Sequence, residues 1–389
     1  MSCDVAVVGA GVIGAAVAWR AAQRGLSVVL IDDAPGSGAS YAAAGMLAPV
    51  SEASYGEEPL LRLGAESLRR YPAFLAELRS TGARAVAHST AGTLLVALDE
   101  DDLRALEERR RFLDELGLCV RTLRGRECRR EEPLLTPRLR GGLAVDGDHA
   151  VDPRQLLGAS LHAAGRVGVR RLPARVVDVS VVGGAVRGVR CADGTAVDAG
   201  QVVLAAGAWS GALPGLPAGS APPVRPVKGQ ILRLRGPAGP LALGRTVRGD
   251  VGGRPVYCVP YGDGRVAVGA TVEDRGFDTR VTAGAVRELL DAALVLVPAL
   301  GELELVEATA RPRPATPDNA PLLGPGRLPG LVLATGHYRN GVLLVPATAD
   351  AVADLLTTGA LPDWAAPFNP ERFALPPEEA ATCLSSTSS

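Results

Sequence analysis

Cysteine, lysine and aromatic residues are scarce in this chain. Six of its 389 residues are cysteines, and aromatic side chains make up 4% of the sequence. The cysteines form no CxxC pair and no Cys/His cluster, so the regular spacing of a disulfide framework or a zinc site is absent. We therefore expect reduced thiols, as in a cytoplasmic protein, at all six positions: Cys3, Cys119, Cys128, Cys191, Cys258 and Cys383.

The chain also lacks an excess of either charge. It has 41 basic and 42 acidic residues, a formal net charge of -1, and Lys228 is the only lysine. That balance gives no general attraction to nucleic acid or anionic membranes. An apolar run at residues 5–17 follows Asp4 and is interrupted by three glycines, unlike a signal peptide. We expect a soluble cytoplasmic protein with no nucleic-acid or membrane partner.

The order of predicted elements indicates an α/β fold, α+β overall, with two domains. The chain begins with a β-α-β unit, and strands prevail from about residue 168 to 315, with a helix near 283–297. We predict a discontinuous Rossmann-type domain from residues 1–85, 142–222 and 319–366. An inserted substrate-binding domain with a mixed, largely antiparallel sheet takes residues 86–141 and 223–318. The polar segment 367–389 is predicted to be a partly disordered tail.

Beyond the N-terminal β-α-β unit, helices are predicted from capping residues and from the spacing of apolar residues. Asp152 followed by Pro153 predicts an N-cap and first helical position. The remaining helices are predicted near residues 59–80, 99–116 and 340–359.

Gly9, Gly11 and Gly14 form a G-x-G-x-x-G fingerprint between a predicted strand and a predicted helix. The first glycine permits the tight turn, the second lets the backbone approach a diphosphate, and the third allows close helix–strand packing. The second strand ends at Asp32, where a carboxylate can accept hydrogen bonds from ribose hydroxyls, and Asp33 is a competing candidate. The pattern predicts a dinucleotide site, but NAD would use the same glycines.

The loop at residues 36–46 favours FAD over NAD. It consists almost entirely of small residues and follows the acidic positions directly. Such a loop can lie against a flat ring system and offer backbone N–H groups to a diphosphate, whereas an NAD-type unit usually continues into a helix. Later in the chain, a predicted buried strand, a loop at residues 336–340 and a helix follow in order. The helix N-terminus is expected to stabilise negative charge on reduced flavin, by about 0.3 to 2 kcal/mol.

Several further segments resemble one known family. They are SYAAAGMLAP, VVLAAGAWS, VKGQ, ARPRPATPDNAPLLG and GHYRNGVLLVPAT. Together with the glycine fingerprint, they resemble the D-amino-acid-oxidase-type flavoproteins, and within them the bacterial glycine oxidases. The resemblance runs from residue 4 to about 364.

The resemblance implies oxidation of glycine or another small amine by hydride transfer from Cα to flavin N5. With O2 and water, glycine gives glyoxylate, ammonia and hydrogen peroxide, and the imine can pass to thiazole synthase for thiamine biosynthesis. We also expect a homo-oligomer. The predicted FAD contacts are Gly9, Gly11, Val12, Ile13, Gly14, Asp32, Asp33, Ser40, Ala44, Gly45, Met46, Val176, Gly207, His337, Tyr338, Arg339, Asn340, Gly341, Val342 and Leu343.

The resemblance assigns substrate contact to Arg311 and Arg339, with Tyr257 lining the pocket. Arginine suits this role because its planar guanidinium donates two parallel hydrogen bonds to a carboxylate. We predict no catalytic residue beyond these substrate-orienting arginines, and no metal. Tyr338 is a second candidate for the pocket, and Lys228 is predicted to form a buried pair that supports the sheet. His149 and His162 are interpreted as ordinary surface or helix residues.

Three positions depart from the family pattern; the change at Asp32 is conservative, whereas those at Val272 and Pro255 leave the substrate preference open. Asp32 stands where glutamate can occur, Val272 where a methionine can face the substrate, and Pro255 where a histidine can lie near the pocket. No cysteine lies between residues 311 and 367, so we expect noncovalent FAD. The alternatives are a D-amino-acid or sarcosine oxidase, a dehydrogenase that uses a non-oxygen acceptor, and a scaffold in which FAD only stabilises the fold.

Overall fold

Residues 1–239 and 242–373 are described by a computed structural model. Its helices are α1 (Val12–Gln23), α2 (Ala39–Ala42), α3 (Glu58–Ser80), α4 (Glu100–Glu115), α5 (Gly125–Glu131), α6 (Pro153–Arg166), α7 (Ala283–Leu296) and α8 (Val345–Thr358). Four 3-10 segments cover Gly207–Ala212, Pro298–Glu302, Asp363–Phe368 and Pro370–Phe373.

The strands alternate with these helices in the N-terminal third of the chain and then form longer continuous runs. They are β1 (Ser2–Val8), β2 (Val28–Ile31), β3 (Met46–Leu47), β4 (His88–Ser89), β5 (Thr93–Ala97), β6 (Arg121–Arg124), β7 (Gly141–Val145), β8 (His149–Val151), β9 (Arg170–Leu172), β10 (Val176–Val182), β11 (Ala185–Cys191), β12 (Ala196–Leu204), β13 (Arg225–Arg235), β14 (Thr246–Asp250), β15 (Pro255–Pro260), β16 (Arg265–Gly269), β17 (Glu304–Ala315), β18 (Leu322–Pro325) and β19 (Leu331–Thr335).

A parallel sheet carries the glycine fingerprint. Strand β1 pairs in parallel with β2 and β12, β2 pairs in parallel with β9, and β12 pairs in parallel with β19. Strands β10 and β11 extend this sheet in antiparallel fashion, as β18 does beyond β19. Because both faces of the central strands are covered, β2 is buried along its whole length and reads as a continuous apolar run. This part of the fold confirms the predicted Rossmann-type arrangement.

The second sheet has the order β17-β13-β16-β15-β14-β5-β7-β6. All its neighbours run antiparallel except β14 and β5. Helix α7 packs on this sheet, and its buried residues, such as Leu289 and Leu296, join the apolar core there. The predicted mixed, largely antiparallel second sheet is confirmed.

One predicted boundary divides a strand of this second sheet. Strand β7 pairs with β5 and β6, so residues 142–145 lie in the second sheet and not with the parallel one. Its apolar residues gave no local sign of the sheet they would join, because strand partners lie far away in sequence. We place the boundary after β7, and the rest of the division stays a prediction.

Local helix signals agree with the structure. The Asp152 carboxylate accepts hydrogen bonds from the N–H groups of Arg154 and Gln155, as expected for the N-cap of α6. The predicted tail begins too early, since Phe368 is buried in the core and residues 370–373 form a 3-10 segment. Residues 374–389 lie outside the described part of the chain. No helix within the described ranges is long and apolar enough to cross a membrane.

Candidate active site

A cavity of about 510 Å3 lies between the two large sheets. On one side it is lined by the carboxyl ends of β1, β2, β12 and β19, and on the other by β13, β15 and β17. A crevice outside the carboxyl ends of parallel strands is the usual ligand site of such folds. The predicted residues that line it are Gly9, Gly11, Val12, Ile13, Asp32, Asp33, Ser40, Ala44, Gly45, Met46, Val176, Gly207, Tyr257, Arg311, His337, Tyr338, Arg339, Gly341 and Val342.

Three predicted cofactor residues do not line this cavity. A Cβ at Gly14 would overlap the Gly9 carbonyl, so this glycine permits the close helix–strand packing expected of it. Asn340 lines a smaller neighbouring pocket and forms a turn, in which its N–H donates to the His337 carbonyl at 2.9 Å. Leu343 is 3% exposed and packs in the core. A family pattern places these residues near the site, but it does not tell which way each one faces.

The fingerprint end of the cavity is organised by Asp32 and Ser40. The Asp32 carboxylate accepts hydrogen bonds from the N–H groups of Ala10, at 2.6 Å, and Ala34, at 2.8 Å. The Ser40 hydroxyl accepts from the N–H of Val12 at 3.1 Å, at the start of α1. Gly9 has φ 102°, a left-handed conformation that only glycine adopts without strain. These contacts hold the strand, the helix start and the acidic residue in one fixed arrangement.

The closing segment at residues 336–344 is anchored from behind by α3. The Tyr71 hydroxyl donates a hydrogen bond to the Val342 carbonyl, and the Ser67 hydroxyl donates to the Leu343 carbonyl at 2.6 Å. Tyr338 has φ 44°, and its N–H donates to the Pro314 carbonyl at 2.9 Å, which joins this segment to β17. The anchoring fixes the backbone that faces the cavity.

His337 is a buried, neutral member of the closing segment. It is 3% exposed, and its Nε2 lies 2.9 Å from the Thr348 hydroxyl on α8. Burial lowers the pKa of His337 to about 3, because the low-dielectric interior disfavours the charged imidazolium. At neutral pH this ring therefore carries no charge toward the cavity.

Arg313 and Tyr257 meet on the side of the cavity that the second sheet forms. Two glycines leave the space that these side chains occupy. A Cβ at Gly229 would overlap the Arg313 guanidinium, and a Cβ at Gly269 would overlap the Tyr257 phenol. Arg313 donates one hydrogen bond to the Thr271 carbonyl at 2.9 Å. Burial raises the pKa of Tyr257, and the Arg313 guanidinium acts in the opposite direction. The phenol therefore keeps its proton at neutral pH and can donate it to an acceptor.

Arg311 lines the same cavity but has other partners. Its Nε donates to the Ser37 carbonyl at 2.6 Å, and Nη1 donates to the Ala310 carbonyl at 2.7 Å. Its guanidinium also lies 5.2 Å from the centre of the Tyr41 ring, which the Arg154 guanidinium contacts at 3.7 Å. The geometry favours Arg313 over Arg311 as a ligand for a carboxylate, since Nε and Nη1 of Arg311 already donate to backbone carbonyls, whereas Arg313 donates to one carbonyl through Nη1.

A third arginine holds the same small-residue loop. Arg233 is 8% exposed, and its Nη2 donates to the carbonyls of Tyr41, at 3.2 Å, and Ala43, at 3.0 Å. Its Nη1 donates at 3.0 Å to the hydroxyl of Tyr261, which in turn donates at 2.9 Å to the Ala44 carbonyl. We call Arg154, Arg233 and Arg311 the arginine clamp. It ties the loop at residues 37–44 to the second sheet and α6.

Arg339 and the remaining predicted residues occupy different environments. Arg339 is exposed and forms no hydrogen bond or ion pair with any residue in the described ranges. Lys228 is 1% exposed and pairs with Asp278 at 3.0 Å, which confirms its predicted buried pairing. His149 lies half-buried on β8, and His162 lies on α6, both away from the cavity. Five cysteines are free thiols, and Cys383 lies outside the described residues.

The two departures from the family pattern near the substrate do not line the cavity. Val272 is 60% exposed, and Pro255 is also exposed at the start of β15. The side chains that face the cavity from this region are Tyr257 and Ile231.

Comparison with known proteins identifies the family. A family model described as FAD dependent oxidoreductase, of the D-amino-acid-oxidase type, matches residues 4–355. The chain belongs to this family. Glycine oxidase from Geobacillus kaustophilus is 37% identical over 372 residues, which covers 94% of this chain and 96% of that protein. The crystal structure of that glycine oxidase superposes with a TM-score of 0.87 at 36% identity, covering 96% of this chain and all of the other.

A second relative is a fusion protein. The bifunctional protein ThiO/ThiG of Synechocystis is 34% identical over 376 residues, which cover 95% of this chain and 54% of the fusion. This chain therefore corresponds to about half of that longer protein.

The residues at the cavity fit the FAD expected of this family. Asp32, held by two backbone N–H groups, is placed to accept from ribose hydroxyls through its remaining lone pairs. The loop at residues 36–46 offers a surface with almost no long side chains. The chain is an FAD-dependent amino-acid oxidase of this family, and FAD supplies the two-electron acceptor for its chemistry.

The lining residues that sequence reasoning missed include Glu52, Trp209, Thr335 and Arg313. For Arg313 a signal was available, since VKGQ and PRPAT contain a glycine and an arginine that meet across β13 and β17. The signal needs the register of two strands more than 80 residues apart, which a local pattern does not provide. Glu52, Trp209 and Thr335 have no local pattern that separates them from other residues of their types.

Proposed function

We propose that the protein oxidises the C–N bond of a small amino acid, with glycine as the leading substrate. The observation that carries this proposal is the Arg313 guanidinium beside the Tyr257 phenol, on the side of the cavity that the second sheet forms. A guanidinium and a protonated phenol are together the donors that a carboxylate requires. Arg339, exposed at the rim, is a further contact for the same substrate.

The reaction needs positioning more than acid–base chemistry from the protein. Glycine, water and O2 give glyoxylate, ammonia and hydrogen peroxide, and FAD supplies the electron acceptor. Arg313 and Tyr257 hold the carboxylate, which fixes the Cα–H bond relative to the closing segment. His337 is neutral and bonded to Thr348, so it brings no positive charge to the site at neutral pH. The amine loses its proton before oxidation, since only a neutral amine has the lone pair that forms the imine.

The relatives support the choice of glycine and suggest where the product goes. The protein from Geobacillus kaustophilus is a glycine oxidase, and the Synechocystis relative is a ThiO/ThiG fusion. A fusion of this kind suggests transfer of the imine to thiazole synthase before water hydrolyses it. We also propose a cytoplasmic homo-oligomer that uses O2 as acceptor, with noncovalent FAD.

Peroxide formation tests the substrate and the acceptor together. Purified protein with bound FAD is mixed with glycine, sarcosine or D-alanine in air, and hydrogen peroxide is measured. The flavin absorbance is followed separately without oxygen. We expect glycine to bleach the flavin and to yield peroxide in air. Bleaching without peroxide, with fast reoxidation by a quinone, supports the dehydrogenase alternative, and no bleaching by any of the three contradicts the proposal.

Light scattering tests the proposed homo-oligomer, and mild denaturation tests whether FAD is bound noncovalently. A mass equal to one chain contradicts the homo-oligomer, and flavin that stays with denatured protein contradicts noncovalent binding.

A further inference from the structure

The loop at residues 270–282, between β16 and α7, holds the Arg313 guanidinium. Its Thr271 carbonyl accepts a hydrogen bond from Arg313 Nη1 at 2.9 Å. The space that Gly229 leaves open admits the guanidinium but does not fix the direction of its N–H groups. A carboxylate is bound through two parallel hydrogen bonds only if the plane of the guanidinium is fixed. The position of the Thr271 carbonyl therefore matters for what Arg313 can bind.

Gln230 on β13 holds this loop at both ends. Its backbone N–H donates to the Thr271 hydroxyl at 2.9 Å, and its backbone carbonyl accepts from the Thr271 N–H at 3.2 Å. Its side chain is 1% exposed, and the side-chain oxygen accepts from the Thr282 N–H at 2.9 Å, at the N-cap of α7. One buried glutamine thus contacts the first and the last part of the loop.

Lys228 holds the middle of the same loop. It is 1% exposed, and its Nζ lies 3.0 Å from the Asp278 carboxylate and 3.8 Å from the Glu273 carboxylate. The backbones of Lys228 and Glu273 also exchange two hydrogen bonds, at 2.9 and 3.0 Å. A buried cation is costly unless it is paired, and both of its carboxylates belong to this loop. The pairing therefore favours the loop position seen here.

Glu273 connects the lysine and the glutamine to Thr271. Its Oε1 accepts from the Thr271 hydroxyl at 2.6 Å and from the Gln230 side-chain amide at 2.8 Å. Burial raises the pKa of Glu273, but these two hydrogen bonds and the charge of Lys228 lower it by more, so the carboxylate is ionised at neutral pH. We call Lys228, Gln230 and Glu273 the loop anchor.

We propose that the loop anchor positions Arg313 for the substrate carboxylate, acting through the Thr271 carbonyl. This inference rests on the proposed function, in which Arg313 is a donor to that carboxylate. None of the three anchor side chains lines the cavity, whereas Gly229 and Ile231 on β13 do. Alternate residues of a strand point to opposite faces, so the anchor holds the loop from the far side of the sheet. Its members are positioning residues that touch neither substrate nor FAD.

Binding of acetate tests the inference without turnover. Acetate carries the carboxylate but no amine, and its binding to the FAD-loaded protein is followed by the flavin absorbance. Thr271→Val keeps the backbone carbonyl and the shape of the side chain but removes the hydroxyl. We expect it to raise the Kd for acetate about tenfold, which corresponds to the loss of roughly one hydrogen bond to a charged group. Thr271→Ser restores the hydroxyl and is expected to bind acetate within about twofold of the unaltered protein.

A second variant acts on the anchor itself. Glu273→Ala removes the acceptor of the Thr271 hydroxyl and is expected to raise the Kd for acetate at least fivefold. Thr279→Val and Asp274→Ala are the matched controls, because both change exposed residues of the same loop, and they are expected to leave the Kd unchanged. An unchanged Kd in both Thr271→Val and Glu273→Ala would overturn the inference.

A double-mutant cycle shows whether the effect passes through Arg313. In the unaltered background, Thr271→Val is expected to lower kcat/KM for glycine about tenfold. In the Arg313→Gln background the same substitution is expected to lower it less than twofold, because the guanidinium that it displaces is already gone. Equal losses in the two backgrounds would reveal a general structural effect and contradict the inference.

Arg313→Gln alone separates this inference from the proposed function. If this variant binds acetate as tightly as the unaltered protein, the proposed carboxylate site is wrong and the inference falls with it. If Arg313→Gln weakens acetate binding while Thr271→Val and Glu273→Ala do not, only the role of the loop anchor is wrong.

Discussion

Arg311 and Arg313 lie two residues apart on β17 and line the same cavity, yet they have different partners. Arg311 donates to the Ser37 and Ala310 carbonyls, while Arg313 lies beside Tyr257 with one backbone acceptor. Two arginines on the same face of one strand therefore have different roles: Arg311 holds the loop, and Arg313 is available to a substrate.

Replacing these arginines one at a time separates the two tasks. Arg313→Gln is expected to lower kcat/KM for glycine by roughly ten- to a hundredfold, because a hydrogen bond to a charged group contributes about 1.5–3 kcal/mol. The flavin spectrum is expected to stay unchanged. Arg311→Gln serves as the matched variant and is expected to weaken FAD binding more than glycine binding. Steady-state kinetics at saturating FAD decide the matter, and a larger kinetic loss in Arg311→Gln would reverse the assignment.

The two arginines also show what a single sequence can and cannot reveal about a site. The glycine fingerprint and Asp32 were predicted because their spacing is local and their chemistry depends on adjacent residues. Arg313 was missed because the chain is rich in arginine, and the feature that distinguishes this one is the space above Gly229 on a distant strand. Contacts of that kind depend on strand register, which is decided by the packing of the whole sheet.

His337 gives the protein a predictable response to acid. Its pKa is about 3 in the folded state and about 6.5 when unfolded, so only the unfolded chain takes up a proton between these values. The free energy of unfolding therefore decreases as the pH falls from about 6.5 toward 3, because protonation of His337 stabilises only the unfolded chain in this range. Between pH 6.5 and 5 the loss is about 2 kcal/mol.

Urea unfolding at a series of pH values measures this contribution. His337→Gln keeps a polar group for the Thr348 hydroxyl but does not titrate, so its free energy of unfolding is expected to fall less steeply below pH 6.5. Parallel curves for the variant and the unaltered protein would show that another group controls the acid response.

At the scale of elements, the arginine clamp connects the loop at residues 37–44 to the second sheet. Four carbonyls of this loop, at residues 37, 41, 43 and 44, are held by side chains from elsewhere. The loop has almost no large side chains of its own, so its position depends on these contacts and not on local packing.

Loosening the clamp is expected to reduce cofactor affinity. Arg233→Met removes three of its hydrogen bonds and is expected to raise the Kd for FAD at least tenfold, with a smaller change in kcat at saturating FAD. Arg235→Met, two residues along β13 and exposed, is the control. Flavin fluorescence during titration of the apoprotein reports the Kd, and an unchanged value in Arg233→Met would show that the loop holds its shape without the clamp.

At the scale of the whole molecule, the two sheets share one cavity, so a cofactor bound there contacts both. FAD at 100 times its Kd is expected to stabilise the folded protein by about 2.7 kcal/mol, which corresponds to a rise in Tm of roughly 3 °C for a chain of this length. Calorimetry of apoprotein and FAD-loaded protein tests this expectation. Two separate transitions, of which FAD shifts only one, would contradict joint stabilisation of the sheets.

The overall architecture was predictable for reasons that differ between the two halves. Strand, glycine turn, helix and strand follow one another in the first 32 residues, and that order permits few arrangements. The sequence predicted that the second sheet would be mixed and largely antiparallel. It did not predict that β7 belongs to this sheet, because nothing in the local sequence shows that β7 pairs with β5 and β6.

Gly229 shows how far a small feature of the backbone reaches into chemistry. The Arg313 guanidinium occupies the space that a side chain at position 229 would fill. A single methyl group there would overlap the guanidinium and displace it. The preference of the site would then move from acids toward uncharged amines of the same size. The absence of a Cβ atom at position 229 therefore determines which charge the substrate must carry.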